Sequence, residues 1–139
     1  MALTMARTAT ANRAADDAAQ VIAEAHQRAV EATSAEMAAH LQEVFGQNLT
    51  ALMAGVENPK TVSKWVRGQS PHPNNLSRLR NAFHVTTFLE LTTSRQTAQS
   101  WFMGMNPYLD DRAPALVLAD EPEEASRVLR AARAFLAHG

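Results

Sequence analysis

The chain has 139 residues, of which 46% are hydrophobic and 19% are charged, and its formal net charge at pH 7 is −1. This composition supports a folded core and argues against wholesale disorder. The sequence has no cysteine, which excludes disulfides, thiolate zinc sites and cysteine nucleophiles.

Alanine is abundant and runs of β-branched residues are scarce, so the composition predicts an all-α fold. Residues 1–13 lack the apolar stretch of a secretory signal peptide. No run of about 18 apolar residues occurs, as a membrane-spanning helix would need. We therefore expect a cytoplasmic protein without a membrane partner.

The charge is unevenly distributed along the chain. Residues 48–84 carry five basic and one acidic side chain, a net charge of +4. Residues 1–47 carry three basic and six acidic side chains, and residues 85–139 carry five and seven. Because Lys and Arg contacts to phosphates supply most non-specific DNA affinity, the central segment is predicted to bind a polyanion.

Residues 1–44 are predicted to form an N-terminal helical arm. Apolar residues recur at helical spacing between Ala14 and Ala32, and they form a thin seam rather than a broad face. Thr33 and Glu36 match a capping box, which predicts that a new helix begins just after Thr33. The seam leaves three roles open for the arm, namely packing on the body, dimerising or remaining partly frayed.

Residues 45–92 are predicted to form a helix-turn-helix module. Ala51, Gly55 and Val56 match the pattern of two short helices around a tight turn, with Val56 as the apolar plug beneath it. The small alanine lets the helices approach closely, and glycine tolerates the positive φ that such a turn requires. Asn48 is the expected cap of the first helix.

The second helix of this module is predicted to begin at Asn58 as the cap, with Pro59 in the first helical position. Val62, Trp65 and Val66 lie three and four positions apart and form its inward stripe. The other faces carry the side chains that we predict to contact DNA, which are Lys60, Thr61, Ser63, Lys64 and Arg67.

The segment TVSKWVRG, residues 61–68, resembles the end of the recognition helix in Xre-type repressors. The turn before it holds one residue more than the usual Xre spacing, which leaves the base contacts open. A helical hairpin without DNA binding would show the same apolar pattern. The net charge of +4 and the spacing of Lys60, Lys64 and Arg67 favour DNA binding.

Two further helices complete the predicted module. The Pro- and Asn-rich segment 69–75 is a loop. A helix follows from about Asn74, with Leu79 and Phe83 inward, and a separate helix is predicted over residues 86–92.

Helices are also predicted beyond residue 92. An apolar stripe that includes Trp101 and Met105 marks the first of them. Asp111 is expected to cap a short second helix, and Asp120 to cap the final one. Met103 and Met105 could fill a gap in the core or form an adaptable partner surface, and the core is the preferred interpretation.

The final helix is strongly amphipathic, with an apolar stripe that runs from Ala125 to Leu136. Arg127, Arg130 and Arg133 recur along a neighbouring face. Two interpretations of these arginines are open, a solvated face over a packed stripe or a surface for an acidic partner.

The order of these features resembles the C-terminal domain of MbcA/ParS/Xre-type antitoxins. In that family a Trp-containing helix leads to an Asn-Pro turn, a short helix and a final helix that ends near glycine. The matching positions are Trp101, Asn106, Pro107, Leu109, Pro114, Leu129 and Gly139. With the preceding module the resemblance covers residues 45–139. It implies that residues 93–139 form a toxin-binding helical domain.

Antitoxins of this family pair with RES-domain toxins, which destroy cellular NAD. The resemblance implies that the C-terminal domain binds such a toxin and obstructs its active-site entrance, while the central module represses the operon through operator DNA. We expect a homodimer and a hetero-oligomer with the toxin. The residues assigned to toxin binding are Trp101, Asn106, Tyr108, Arg127, Arg130, Arg133, Phe135, His138 and Gly139.

Two other functions stay open. The chain could be a stand-alone helix-turn-helix transcriptional repressor whose C-terminal half dimerises. It could also be a protein inhibitor whose longer turn has lost DNA binding.

No enzymatic activity, cofactor or metal is expected. None of the five histidines has a second ligand three or four positions away, so each is predicted at the surface or at a helix end. Helix capping explains Asp110 and Asp111 better than catalysis does. The sequence has no Gly-rich phosphate loop and no nucleophile elbow.

Overall fold

A computed structural model describes the backbone of residues 2–138 and the side chains of residues 12–138. Within that range the chain is all-α, as predicted, with seven α-helices and no strand. They are α1 (Ala2–Glu31), α2 (Ser34–Ala54), α3 (Lys60–Val66), α4 (Pro73–Thr92), α5 (Arg95–Met103), α6 (Pro114–Asp120) and α7 (Ala125–His138). Two 3-10 helices, Pro107–Leu109 and Pro122–Glu124, precede α6 and α7. None of the described helices is both long and apolar enough to cross a membrane.

The C-terminal part of α1 packs against α4. Ala25 and Ala29 are buried at this contact, and the Arg80 guanidinium on α4 donates a hydrogen bond to the carbonyl oxygen of Ala29. Every side chain from Asn12 to Gln20 is exposed. The C-terminal part of α1 therefore packs on the body of the protein, which is one of the three roles that the sequence left open for the arm.

The predicted capping box between α1 and α2 is confirmed. The Thr33 hydroxyl accepts a hydrogen bond from the Glu36 amide at 3.1 Å, and the Glu36 carboxylate accepts one from the Thr33 amide at 3.0 Å. The hydrogen bonds to the backbone and then the side chain of Thr33 hold the pKa of Glu36 below its usual value. The carboxylate therefore stays charged at the positive end of α2.

The break inside α2 lies at Gly46, so the prediction that Asn48 caps a new helix was wrong. Gly46 has φ 83° and ψ 170°, a conformation that L-residues rarely adopt, and it interrupts the helical backbone. The Thr50 hydroxyl then donates a hydrogen bond to the Gly46 carbonyl at 2.8 Å. The first short helix of the predicted module is thus the last part of α2.

The two helices predicted around residues 74–92 are one continuous helix, α4, which was the second error. Val85, Thr86 and Thr87 are β-branched and lose side-chain freedom in a helix, which slightly lowers the local helix propensity. Burial outweighs this cost, since all three are buried and Thr86 donates a hydrogen bond to the Ala82 carbonyl at 2.7 Å. Helix α4 contacts α1, α2, α5, α6 and α7, and it forms the centre of the fold.

The expected caps Asp111 and Asp120 were also wrong. Asp110 and Asp111 both adopt left-handed φ angles, of 57° and 62°, in the turn before α6. Helix α6 then starts at Pro114 without a side-chain cap. Asp120 is instead the last residue of α6. Its carboxylate forms an ion pair with the Arg112 guanidinium, with 3.5 Å between the nitrogen and the oxygen.

Helix α7 buries a narrower stripe than its sequence predicts. Val128, Ala131 and Ala132 are buried, and Phe135 is half-buried beside them. Leu136 was expected inward but is 42% exposed. At 3.6 residues per turn its side chain lies about 90° from the centre of the buried stripe.

The buried side chains form one contiguous cluster that extends from Ala25 in α1 to Ala132 in α7. The segments predicted as arm, central module and C-terminal domain all contribute to it. Helix α3 and the C-terminal helices are therefore held by a shared core.

Candidate nucleic-acid interface and partner-binding groove

Helix α3 begins one residue later than the sequence predicted, because Lys60 is its first residue and Pro59, rather than Asn58, occupies the N-cap position. The Asn58 side-chain oxygen accepts a hydrogen bond from the Lys60 amide at 3.0 Å, and Pro59 already has helical angles. Val62 is fully buried and Trp65 is 2% exposed, so the inner face of α3 is fixed against the body. Val66 was expected on this face but is 36% exposed, because it is the last residue of the helix.

The residues predicted to contact DNA divide into two groups on α3 and just after it. Lys60, Lys64 and Arg67 are exposed, and we call them the α3 surface. Thr61 and Ser63 are half-buried. The Ser63 hydroxyl accepts a hydrogen bond from the Gln47 side-chain amide, which ties α3 to the start of the helical segment after Gly46.

The turn between α2 and α3 is closed at Gly55, as predicted. Gly55 has φ 79°, and the amides of Gly55 and Val56 donate hydrogen bonds to Leu52 and Ala51 at 3.2 and 3.0 Å. This pairing is the Schellman motif of a helix end. The turn around which the module was predicted is therefore a well-formed helix C-terminus.

Two residues of α4 support this turn, and sequence reasoning missed both. The Asn75 side-chain amide donates a hydrogen bond to the Ala54 carbonyl at 2.8 Å. A Cβ atom on Gly55 would lie 2.8 Å from Nη1 of Arg78, so the arginine covers the turn closely. The sequence offered only the charge of Arg78 and the loop composition around Asn75 as signals.

A groove of about 430 Å³ opens between α5, the first 3-10 helix and α7, and we call it the α5–α7 groove. It brings together five of the nine residues assigned to toxin binding. Those five are Trp101, Asn106, Tyr108, Phe135 and His138. Arg127, Arg130 and Arg133 lie on α7 but do not line the groove, and Gly139 lies outside the described residues.

Trp101, Asn106 and Tyr108 have different environments in this groove. The Trp101 ring is 8% exposed and packs edge-on against Phe102, with 5.3 Å between ring centroids. Its Nε1–H is buried and has no hydrogen-bond partner among the described residues. Asn106 is 6% exposed and accepts a hydrogen bond from the Tyr108 amide at 3.0 Å, so its side chain stabilises the turn. Tyr108 itself is 51% exposed.

The three arginines of α7 are not equivalent. Arg127 donates to the Tyr108 carbonyl at 3.2 Å and contacts the Asp110 carboxylate at 3.0 Å, which fastens the left-handed turn to α7. Arg130 and Arg133 are exposed. Neither forms an ion pair with a carboxylate of the described residues. These two guanidinium groups are available to a partner.

Both methionines beside Gly104 are at the surface, so the preferred core interpretation was wrong. Met103 is 62% exposed and Met105 is 81% exposed. Helix α5 ends at Met103, and the chain turns away before Met105 can reach the core. Met105 instead forms part of the α5–α7 groove.

Two histidines depart from the predicted surface or helix-end positions. His84 is half-buried in the middle of α4, with its ring centroid 5.6 Å from that of His26 on α1. Burial lowers the pKa of His84, and the charges of His26 and Arg133 lower it further. His40 on α2 contacts the Glu90 carboxylate at 2.5 Å beside a cavity of about 500 Å³. Sequence spacing gave no sign of either pairing because the partners lie 50 or more residues apart.

Among residues 12–138 no three histidine, aspartate or glutamate side chains are placed to hold a metal ion together. No known protein family, curated protein or solved structure matches the chain.

Proposed function

We propose that this chain is an antitoxin that binds and neutralises a RES-domain, NAD-degrading toxin and represses its own operon by binding DNA. The observation that carries the proposal is the α5–α7 groove. The resemblance assigned its toxin-binding residues from sequence order alone, and five of them, from three separate elements, line one groove.

The DNA-binding half of the proposal is supported by the α3 surface. Lys60, Lys64 and Arg67 are exposed on or just after a helix whose opposite face is buried. Such a helix can enter the major groove while its cations contact phosphates. Helix α3 packs against α2, whereas α7 packs on α4 and α6, so different elements carry the two activities.

The proposed mechanism of neutralisation is binding rather than catalysis. Helix α7 ends with exposed His138, and Leu136 and Ala137 before it are also exposed. This end of the helix would cover the entrance to the toxin's active site while the α5–α7 groove holds the partner. We further propose that the chain forms a homodimer and a hetero-oligomer with the toxin, as the resemblance implies.

Co-expression with the RES-domain toxin of the same operon tests the proposal. Growth and cellular NAD should be restored by the wild-type chain and by Lys64→Glu, while Lys64→Glu should lose binding to the upstream DNA in a gel shift. Removing residues 130–139 should have the opposite effects. Because that deletion also removes the buried Ala131 and Ala132, Arg133→Glu is the matched full-length variant. Equal damage to both activities from either change would refute the two-part assignment.

A stand-alone repressor with a dimerising C-terminal half is the second candidate. The exposure of Met103 and Met105, on either side of Gly104, favours it, because neighbouring exposed apolar side chains indicate a contact with another chain. In that case the chain would bind the upstream DNA but would leave the toxin's consumption of NAD unchanged.

A further inference from the structure

The C-terminal part of α1 is held on the body mainly by its contact with α4. The α1 residues that this contact buries are alanines, Ala25 and Ala29, while Val21 and Ile22 beside them are half-buried. Two methyl groups and two partly covered side chains remove little apolar surface from water. The hydrophobic contribution that holds α1 in place is therefore small.

A pair of histidines lies across the same contact. His26 is exposed on α1 and His84 is half-buried on α4, with 5.6 Å between their ring centroids and 59° between their ring planes. Within residues 12–138 the histidine that contacts a carboxylate is His40, with Glu90, so His26 and His84 each lack such a partner. A proton gained by either ring therefore adds a charge that no carboxylate compensates.

Basic side chains from three helices lie near His84. Burial lowers the pKa of His84 most, and the charges of His26 on α1 and Arg133 on α7 lower it further. Arg80 lies one turn before His84 on α4, and its guanidinium donates a hydrogen bond to the Ala29 carbonyl at the end of α1. The junction of α1, α4 and α7 thus collects basic groups.

The carboxylates of α1 and of the helices that pack on α4 form ion pairs elsewhere. These pairs are Glu24 with Arg28 within α1, Glu90 of α4 with His40 of α2 and Arg95 of α5, Glu43 of α2 with Arg95, Asp120 of α6 with Arg112, and Asp110 with Arg127 of α7. None of these carboxylates is among the charges that shift the pKa of His84. A protonated His40 keeps Glu90 as its partner, so it adds no repulsion between α1 and α4.

Protonation of the histidine pair opposes the contact between α1 and α4. Two charged rings with centroids 5.6 Å apart repel each other, and the half-buried His84 ring lacks the hydration that its charged form needs. Separation of the two helices removes both costs, because it moves the charges apart and admits water. The small hydrophobic contribution of Ala25 and Ala29 offers little resistance to this separation.

We infer that the His26–His84 pair is a proton-sensitive switch for the docking of α1. With both rings neutral, the C-terminal part of α1 packs on α4. With both rings charged, that part of α1 detaches, while α2 to α7 stay folded around their shared core. This property belongs to the chain alone and requires neither a toxin nor DNA, so it is independent of the proposed function.

Hydrogen–deuterium exchange of the full-length chain, corrected for the intrinsic pH dependence of amide exchange, tests the switch. Because the pKa of His84 is lowered from 6.5 in the folded chain, docking should be strongest above pH 6.5 and should weaken below it. Between pH 8 and pH 5 the protection of amides 21–31 in α1 should fall about tenfold. Amides 79–89 in α4 should stay at least about tenfold better protected at both pH values, because α1 opens on its own.

Three full-length variants identify the groups responsible. His84→Gln removes the half-buried ionisable ring, and its α1 protection should change by less than about twofold with pH. His26→Glu, at an exposed position, faces His84 with a carboxylate, so protection of α1 should rise rather than fall as His84 gains its proton. His72→Gln, a variant of an exposed histidine at the N-terminus of α4, is the matched control and should behave as the wild type.

Three results would overturn the switch. Equal protection of amides 21–31 and 79–89 would mean that α1 opens only when the whole protein unfolds. A wild-type chain whose α1 protection does not change between pH 8 and pH 5 would contradict it directly. A fall in His26→Glu as large as in the wild type would assign the pH response to other groups, and this exposed variant decides the matter even if His84→Gln does not fold.

Discussion

The α3 surface and the α5–α7 groove, the two proposed binding regions, differ in how the sequence builds them. The α3 surface lies on a helix of seven residues and on the residue after it, and the turn at Gly55 and the N-cap Pro59 precede that helix. The groove brings together residues that are distant in the sequence, from Thr97 to His138. The chain between them passes through the turn in which Asp110 and Asp111 adopt left-handed φ angles. Local sequence can specify the first, whereas the second exists only once the core has assembled.

The largest expected effect tests whether the two regions share one core. Phe102 is fully buried and packs edge-on against both Phe45 and Trp101, at 5.0 and 5.3 Å between centroids. Phe102→Ala should lower the free energy of unfolding by about 3–5 kcal/mol and weaken both binding activities together. Chemical denaturation followed by circular dichroism measures this loss.

The neighbouring Met103 is the control for that measurement, because it is 62% exposed. Met103→Ala should change the free energy of unfolding by less than about 0.5 kcal/mol. Two separate unfolding transitions in the Phe102 variant would contradict a shared core.

The next prediction separates the two surfaces by their response to salt. Lys64 is exposed on α3 and is proposed to contact a phosphate. Lys64→Ala should weaken DNA binding about equally at all sequences, and it should reduce the slope of log affinity against log salt by about 1. Fluorescence anisotropy with labelled upstream DNA measures both. Arg133→Ala, on α7, should leave this slope unchanged, and an equal reduction of the slope in that variant would remove the distinction between the two regions.

A smaller effect is expected at the turn that orients α3. Gly55→Ala places a Cβ atom at φ 79° and 2.8 Å from Nη1 of Arg78. It should cost about 1–2 kcal/mol of stability and reduce DNA affinity more than toxin affinity, because α3 follows directly. Thermal unfolding and gel shifts are the measurements. Gly104→Ala is the control, since Gly104 has φ −87° and only a 3.3 Å contact to the Ser100 carbonyl.

The smallest effect is a pH dependence at the junction of α1, α4 and α7. The pKa of His84 is lowered from 6.5, so the unfolded chain binds a proton more readily than the folded chain. The stability associated with neutral His84 is therefore fully present above pH 6.5 and is lost as the pH falls through the lower folded pKa. Urea unfolding measures this effect between pH 8 and pH 5. The free energy of unfolding should fall less in His84→Gln than in the wild type, whereas the variant of an exposed histidine, His72→Gln, should follow the wild type.

The sequence predicts those parts of the molecule whose structure is determined locally. The capping box at Thr33, the turn at Gly55 and the inward Val62 and Trp65 all follow from short-range rules. Each depends on a few neighbouring residues, and tertiary packing does not oppose it.

The errors lie where tertiary contacts overrule local preference. Helix α4 is continuous through Val85, Thr86 and Thr87, all of them buried, although β-branched residues have slightly lower helix propensity. Asp110 and Asp111 form a turn that Arg127 fastens from α7, a contact that no local pattern reveals. For the same reason, the unpartnered Trp101 Nε1–H and the histidine pair of α1 and α4 could not be found before the helices were placed together.

The most direct test of the two-surface account is a titration of the purified toxin with this chain while the consumption of NAD is followed. The account predicts that NAD consumption stops at a fixed stoichiometric ratio. Lys64→Glu should inhibit as well as the wild type, whereas Arg130→Glu/Arg133→Glu should require a clear excess. Undiminished NAD consumption at a saturating concentration of the wild-type chain would contradict the account.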